Sequence, residues 1–251
     1  MERLIVCMKW GRRYGPEYAN RLYRSCRRHM TGDMRFVCFT DDTTGLDAGI
    51  DARALPDFPN VPEHLAWTPW RKISLWQAAM PADLLGRDAL FLDLDVVVVG
   101  RLDDFFEHEP GKYVVIENWT KAGRGIGNTS VFRFNVGKYP FIYDGFIKDP
   151  DRMFREEFRI EQEYISARIG AGEQVYWPPA WCPSFKEELI PAWPVRFWKP
   201  TPLPADARVI VFHGKPDPDE AMEGRWPTPG SPWKKIYKTI RPVAWIRENW
   251  H

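Results

Sequence analysis

Two carboxylates two residues apart, Asp93 and Asp95, lie inside the run ALFLDLDVVVVG at Ala89 to Gly100. Four apolar residues lead in and four valines lead out, so the run reads as a buried strand that ends in carboxylates. Two ionised carboxylates side by side in apolar surroundings are very costly unless a cation or a proton compensates them. A divalent metal is the usual solution, and oxygen-only ligands favour magnesium or manganese over zinc. The rival reading of an Asp-x-Asp is a solvated turn. Against it, FLDLDVVVV holds no Gly, Pro, Ser or Asn of the kind a surface turn recruits.

The surrounding elements place the pair in a sheet. Arg3 to Met8 is an apolar strand, and the loop GRRYGP leads into a helix with Tyr18, Leu22, Tyr23, Cys26 and Met30 at helical spacing. MRFVCF at 34–39 is a second strand, ending at the acidic FTDD. Strand, helix, strand in this order opens a parallel nucleotide-binding sheet, whose ligands bind at the carboxyl ends of the strands. Lys9 to Tyr14 and Thr40 to Asp42 are therefore the candidate base and ribose loops, with Lys9, Trp10, Tyr14 and Asp41 as nucleotide contacts. A helix over Trp70 to Met80, WRKISLWQAAM, precedes the strand with the Asp pair, which puts that pair at a carboxyl end in the same crevice. Further on, LDDFF is a short helix and YVVIENW at 113–119 a strand. TSVFRFNVG at 129–137 is another strand, with Phe132, Phe134 and Val136 on one face and Arg133 and Asn135 on a less buried one. Residues 151–169 read as a helix containing EQEYIS. VIVFHGKP at 209–216 is a last buried strand that delivers His213 and Lys215 to a turn.

The 251 residues fit one α/β domain over 1–251, closed by a basic, aromatic segment 233–251. Lys and Arg number 35 against 34 Asp and Glu, a net charge of +1, so no global field draws the chain onto nucleic acid. Cys7, Cys26, Cys38 and Cys182 are scattered, without a CxxC pair or a disulfide spacing. The apolar run in MERLIVCMKWGRRYG is too short for a signal peptide, and nothing reaches the roughly 18 apolar residues that span a bilayer. Together these point to a reducing, cytoplasmic setting. Trp177, Trp181, Trp193 and Trp198 share residues 177–204 with eight prolines, a rigid stretch suited to packing over the core or to stacking on sugar rings.

With these residues in hand, the chain resembles nucleotide-sugar-dependent glycosyltransferases of the GT-A fold, and among them family eight. The likeness rests on the N-terminal strand with its nucleotide loop, on WRKISLW, and on FLDLDVVV, similar to that family's YLDxDxxV. GNTSVFRFN is a loose version of its NSG strand, and HGKP a shortened form of its HxxGxxKP. Two departures stand out: the family's DQD is EQE here, and no glycine follows the serine of the NSG-like strand. The resemblance implies a Rossmann-like α/β fold, a mostly parallel central sheet flanked by helices. It also implies a nucleoside diphosphate sugar as donor, a UDP-sugar first, with Mn2+ or Mg2+ as cofactor and retention at the anomeric carbon.

In such a transfer negative charge grows on the departing diphosphate while the anomeric carbon becomes cationic, and a divalent ion on both phosphates stabilises the former. Asp93, Asp95 and His213 can supply three ligands, leaving positions for phosphate oxygens and water. A His at a strand end can equally be a satisfied structural residue. Lys215 can reach the same oxygens as a point charge. Glu161, Gln162 and Glu163 are the candidate catalytic groups beside the anomeric carbon, with a solvated helix face as the alternative. Lys72 and Arg71 can hold phosphate or pair with the Asp cluster, the resemblance favouring Lys72; by the same analogy Asn128 and Ser130 contact the donor sugar.

The acceptor is then a carbohydrate, lipid-linked or protein hydroxyl, and surface polysaccharide synthesis is the associated role. Two other functions fit the residues. FLDLDVVVVG also matches the DxDxV of haloacid dehalogenase phosphatases, with Asp93 as nucleophile, although no downstream GDxxxD loop is present. A non-catalytic nucleotide- or carbohydrate-binding protein is the other. Lys234, Lys235, Lys238, Arg241 and Arg247 alternate with Trp233, Ile236, Tyr237, Ile240 and Trp245, which suits a helix lying on anionic lipid at the inner membrane face, or the same aromatics packed onto the core.

Overall fold

The structure is a computed structural model that describes residues 2–228, 233 and 236–251. Among these residues the strands, in chain order, are β1 (Arg3–Lys9), β2 (Met34–Thr40), β3 (Asp51–Ala54), β4 (Asp88–Leu92), β5 (Val96–Val98), β6 (Tyr113–Glu117), β7 (Gly127–Asn135), β8 (Gln174–Tyr176) and β9 (Val209–Val211). The chain divides into two compact units. One holds residues 1–20, 31–94 and 103–177, the other 21–30, 95–102 and 178–251.

The first unit is built on a seven-stranded sheet in the order β3-β2-β1-β4-β7-β6-β8. The pairs β1–β2, β1–β4, β2–β3 and β6–β8 are parallel. β7 runs antiparallel to both of its neighbours. The α/β class and the mostly parallel sheet are those the sequence implies. One consequence follows for the site: the carboxyl ends of β1, β2, β4 and β6 share a sheet edge with the amino end of β7.

Helices bury the sheet's apolar face. Leu4, Val6 and Met8 of β1, Phe91 of β4 and Phe132 and Phe134 of β7 form one core with Trp70, Ile73 and Trp76, with Ile142 and Phe146 of the helix Pro140–Ile147, and with Tyr164 and Ile165 of the helix Glu161–Ile169. The expected helix over Trp70–Met80 is instead a 3-10 helix, Pro69–Trp76, capped by the Thr68 side chain and ended by extended Gln77. Trp70, Ile73 and Trp76 recur every three positions, so a three-residue turn puts these three on one side; Leu75 is buried as well.

Three further readings are corrected. The apolar run at 89–100 is two strands: β4 ends at Leu92, the chain turns at Leu94 and Asp95, and β5 then pairs with β9 in a separate sheet. The turn reading was thus right about backbone shape, and Asp93 and Asp95 are half-buried there. Residues 151–169 are not one helix, because Phe158 and Ile160 are extended. Phe158 packs edge-on against Tyr164 at 5.3 Å, and the break makes Glu161 the first residue of a new helix. On the other face of β7 Asn135 is half-buried as expected, but Arg133 is fully buried: its guanidinium donates to the carbonyls of Phe105 and His108 at 2.6 Å and to that of Glu109. Carbonyl acceptors offset the desolvation of this cation.

In the second unit β5 and β9 pair antiparallel, and the Phe185 and Phe212 rings stack at 4.4 Å. The expected strand 209–216 stops at Val211, which leaves His213 to Lys215 in the turn that follows. Within 233–251 the structure describes the helix Ala244–Asn249; Ile240, Val243, Ile246 and Trp250 are buried, and Arg21 lies over the Trp250 ring at 4.4 Å. Lys234 and Lys235 fall outside the described residues. Cys7, Cys26, Cys38 and Cys182 are buried thiols, none in a disulfide. No described helix is long and apolar enough to cross a membrane.

On the β2–β3 edge Arg35 and Arg53 each bond both Asp51 and Asp83, Arg35 at 2.6 Å to each. Hydrogen bonds from Arg53, then Arg35, hold both carboxyls below the usual aspartate range. A carboxyl depressed on folding stabilises the protein above its unfolded value of about 3.9, and that contribution is lost as pH falls through the lower folded value. Asp51→Asn should therefore lower the melting temperature at pH 7, with the gap to the parent closing as the pH is brought below about 3; melts across that range check it.

Candidate active site

β1, β2 and β4 deliver their last residues to one edge, in register Lys9 with Thr40 and Val6 with Phe91. At β1 the Lys9 ammonium donates to the Asp42 carbonyl at 3.3 Å, and the Thr40 hydroxyl donates to the same oxygen at 2.9 Å. The Gly11 N–H donates to the Asp41 carboxylate at 3.0 Å. Gly11 has φ of 62°, a left-handed conformation that a glycine adopts without strain. The two loops expected to take base and ribose are thus tied to each other. Trp10 packs against the core, and the Tyr14 ring lies 4.5 Å from that of Tyr18.

At β4 the ladder with β7 continues past the strand, since the Asp93 N–H donates to the Ser130 carbonyl at 2.9 Å. The Asp93 carboxylate accepts from the Lys72 ammonium at 2.7 Å. Lys72 is only 4% exposed; its Nζ also donates to the Thr129 carbonyl at 3.1 Å and lies 5.3 Å from the Phe91 ring centre. A buried ammonium needs such partners, and losing one of a buried pair costs about 3–5 kcal/mol. The expected Lys72–Asp pairing is present. Arg71 is elsewhere: its guanidinium lies over the Trp67 and Phe58 rings and donates to the Pro56 carbonyl.

Thr129 then carries the connection on. Its hydroxyl donates to the buried Glu161 carboxylate at 2.8 Å, which gives the continuous path Asp93, Lys72, Thr129, Glu161 within the first unit. Asn128 and Ser130 flank Thr129; both are buried, and the Asn128 side-chain oxygen accepts from the Ser130 N–H at 3.0 Å. Gln162 is half-buried, and Glu163 pairs with Lys121. Burial pushes the Glu163 carboxyl up, yet the Lys121 ammonium and the N–H of Arg159 outweigh it and hold the group below the ordinary glutamate value. Two of the three EQE positions are therefore bonded into the unit rather than spread over a solvated helix face. Thr129 and Lys121 escaped the sequence reading; the only signal was their place beside Asn128 and inside the glycine-rich TKAGRGIG.

In the second unit the His213 Nε2 lies 2.8 Å from the Ser184 hydroxyl, which also accepts from the Glu187 N–H. Burial first, and the Lys186 charge second, keep the His213 pKa below its usual value. The ring is then neutral near pH 7, the form that binds metals. The Lys215 ammonium is engaged by Asp217 at 2.6 Å and Glu220 at 2.7 Å. Among the described residues no three His, Cys, Asp or Glu side chains are gathered into a metal-ready group.

No protein-family model matches the chain, and no curated protein matches it in sequence. Solved structures do match it. The galactosyltransferase LgtC, in complex with donor and acceptor sugar analogs, aligns with a TM-score of 0.61 and 15% identity over 87% of this chain and 89% of its own. The glycosyltransferase GlyE of Streptococcus pneumoniae TIGR4, in its apo form, aligns with a TM-score of 0.56 and 16% identity over 87% of this chain and 56% of its own. The bifunctional glycosyltransferase WbbM gives 0.55 and 10% over 86% and 46%. The fold is thus GT-A, as the resemblance implied.

The Asp93 to Glu161 path can be tested in stability alone. Thr129→Val should leave the buried Glu161 short of a donor and cost about 1–3 kcal/mol, whereas Thr129→Ser, which keeps the hydroxyl, should cost about 1 kcal/mol for its lost methyl. Denaturant titrations of both variants measure the difference.

Proposed function

We propose that the chain is a metal-dependent glycosyltransferase that moves a hexose from a nucleoside diphosphate sugar, with uridine as the base, to a hydroxyl of a carbohydrate, lipid-linked or protein acceptor. Retention at the anomeric carbon and a role in surface polysaccharide synthesis belong to the same reading, as does a cytoplasmic setting. The observation that carries it is Asp93 at the carboxyl end of β4, held by a buried lysine in a GT-A sheet. The solved structures similar to this chain support it, since their described activities are glycosyl transfers.

The donor set suits a hard divalent cation. Asp93 gives one carboxylate edge to Lys72, and a carboxylate has lone pairs for a second partner; Asp95 adds oxygen and neutral His213 adds nitrogen. In this reading those three residues hold Mn2+ or Mg2+, which supplies Lewis-acid neutralisation of the departing diphosphate. Lys72 adds fixed positive charge beside Asp93, and Lys215 adds charge from its turn. The β1 and β2 loops, through Lys9, Trp10, Tyr14 and Asp41, take the nucleoside, and Asn128 and Ser130 take the donor sugar. Glu161, Gln162 and Glu163 face the carbon that becomes cationic, where carboxylate and amide oxygens stabilise positive charge and orient the acceptor hydroxyl. A phosphatase is not favoured, because the structures this fold matches are glycosyltransferases.

Incubation with manganese and a panel of nucleotide sugars, followed by assay of the released nucleotide, tests the reading. Asp93→Asn and Asp95→Asn should each cut release by about 10²–10³-fold. Nucleotide binding without turnover on any donor would mark a binding protein. Folded Asp93→Ala and Asp95→Ala variants that bind nucleotide and manganese as tightly as the parent would remove the metal site altogether.

A further inference from the structure

We propose that the second unit carries a docking face for anionic lipid, built by residues 192–203 together with Trp233 and residues 236–241. Ten large apolar side chains are exposed among the described residues, and seven of them fall in this unit: Trp193, Phe197, Trp198, Leu203, Trp233, Ile236 and Tyr237. Trp198 is 62% exposed and Ile236 68%. Large apolar groups gathered in this way mark an interaction surface.

The charge around them has one sign. Residues 190–205, IPAWPVRFWKPTPLPA, contain Arg196 and Lys199 but no Asp, Glu, Asn or Gln. Residues 226–247 contain Lys234, Lys235, Lys238, Arg241 and Arg247 and again none of those four types. In a chain whose net charge is only +1, the five described cations Arg196, Lys199, Lys238, Arg241 and Arg247, with no acid in either segment, amount to a local positive field. The flanking acids Glu188 and Asp206 bound the first segment, and Glu223 and Glu248 the second.

The two segments are fastened to each other. The Arg196 guanidinium donates to the Tyr237 carbonyl at 3.3 Å. Arg196 and Lys238 both sit by the Trp226 ring, at 5.6 and 5.5 Å from its centre. The Trp245 N–H donates to the carbonyl of buried Thr201 at 3.1 Å. Ile240 and Val243 are buried at the same time, so the inward side chains hold the segments while the tryptophans stay outside. This differs from one amphipathic helix over 233–251: the exposed aromatics come from a proline-rich stretch and from the residues it is tied to.

The chemistry selects the occupant. Trp and Tyr favour the bilayer interface, and each Lys or Arg near an anionic surface adds attraction. A sugar site would set carboxylates or amides beside its aromatics to hold hydroxyls, and these segments have none. Leu203 and Ile236 suit acyl chains and offer nothing to a sugar ring.

The test uses the whole chain and sedimentation with vesicles of phosphatidylcholine alone or mixed with phosphatidylglycerol at about 7:3. Binding should be at least about tenfold stronger to the mixed vesicles and should fall away at roughly 0.5 M salt. Lys199→Glu should weaken it by about fivefold or more, and Trp193→Ser with Trp198→Ser by at least as much, with unchanged melting temperatures because all three side chains are exposed. Asp93→Ala should bind vesicles like the parent, so this face stands or falls apart from the catalytic reading. Equal binding to neutral and mixed vesicles, binding to neither, or variants that bind like the parent would each overturn the proposal, as would protection of this face by a soluble glycan in place of lipid.

Discussion

An ammonium group left only a few per cent exposed has to be neutralised where it sits, and Lys72 is neutralised by Asp93. Both ends of that pair are fixed independently. Asp93 is set by the sheet, because its N–H extends the β4–β7 ladder onto Ser130. Lys72 is set by the 3-10 turn whose Trp70, Ile73 and Trp76 are locked into the core, so its backbone is held where the side chain can reach the carboxylate. A lysine suits this place better than an arginine would: a compact point charge can share a carboxylate edge and a single carbonyl, while a guanidinium fork needs a wider set of acceptors. The pairing also changes what burial means for Asp93, whose charge is compensated before any ligand arrives.

The antiparallel β7 gives the site its second half. Had all seven strands been parallel, the edge that gathers β1, β2 and β4 would have gathered only strand ends; inserting β7 between β4 and β6 brings a strand start, Gly127 to Ser130, to the same edge. Gly127 is required there, since a Cβ would lie 2.6 Å from a Val115 methyl at the point where the β6–β7 register shifts. From that start two bonds reach the helix Glu161–Ile169: the Gly127 N–H donates to the Ser166 hydroxyl at 2.9 Å, and the Thr129 hydroxyl donates to Glu161. The helix is held at its first residue and more than a turn later, so its rotation about its own axis is set by the sheet.

Much of this was legible and some was not, for reasons that can be named. The Asp pair, Lys72 and the β1 and β2 loops could be found because each follows a short apolar run with a clear end, and a parallel sheet sends such ends to one edge. The break between β4 and β5 could not, because valines on one side and Leu-Phe-Leu on the other look alike whether they enter one sheet or two. The buried Arg133 was misread since alternation assigns faces but says nothing of what covers them; here three carbonyls at 105–109 do. Thr129 and Glu161 are 32 residues apart, and nothing local in either marks a contact of that range.

The altered motif at 161–163 makes better physical sense with these contacts in view. A glutamate is one methylene longer than an aspartate, so a carboxylate on the first turn reaches further from the helix axis. Glu161 uses that reach to meet the Thr129 hydroxyl, and Glu163 uses it to meet Lys121 on the loop after β6. Each longer carboxylate is thus accompanied by a donor at the right distance, a hydroxyl in one case and an ammonium in the other. Such paired fitting constrains the side chains more tightly than a solvated helix face would, where length is indifferent. It leaves Gln162, half-buried between two fixed carboxylates, as the member of the trio whose amide has not been given to a neighbouring element by any bond of this kind.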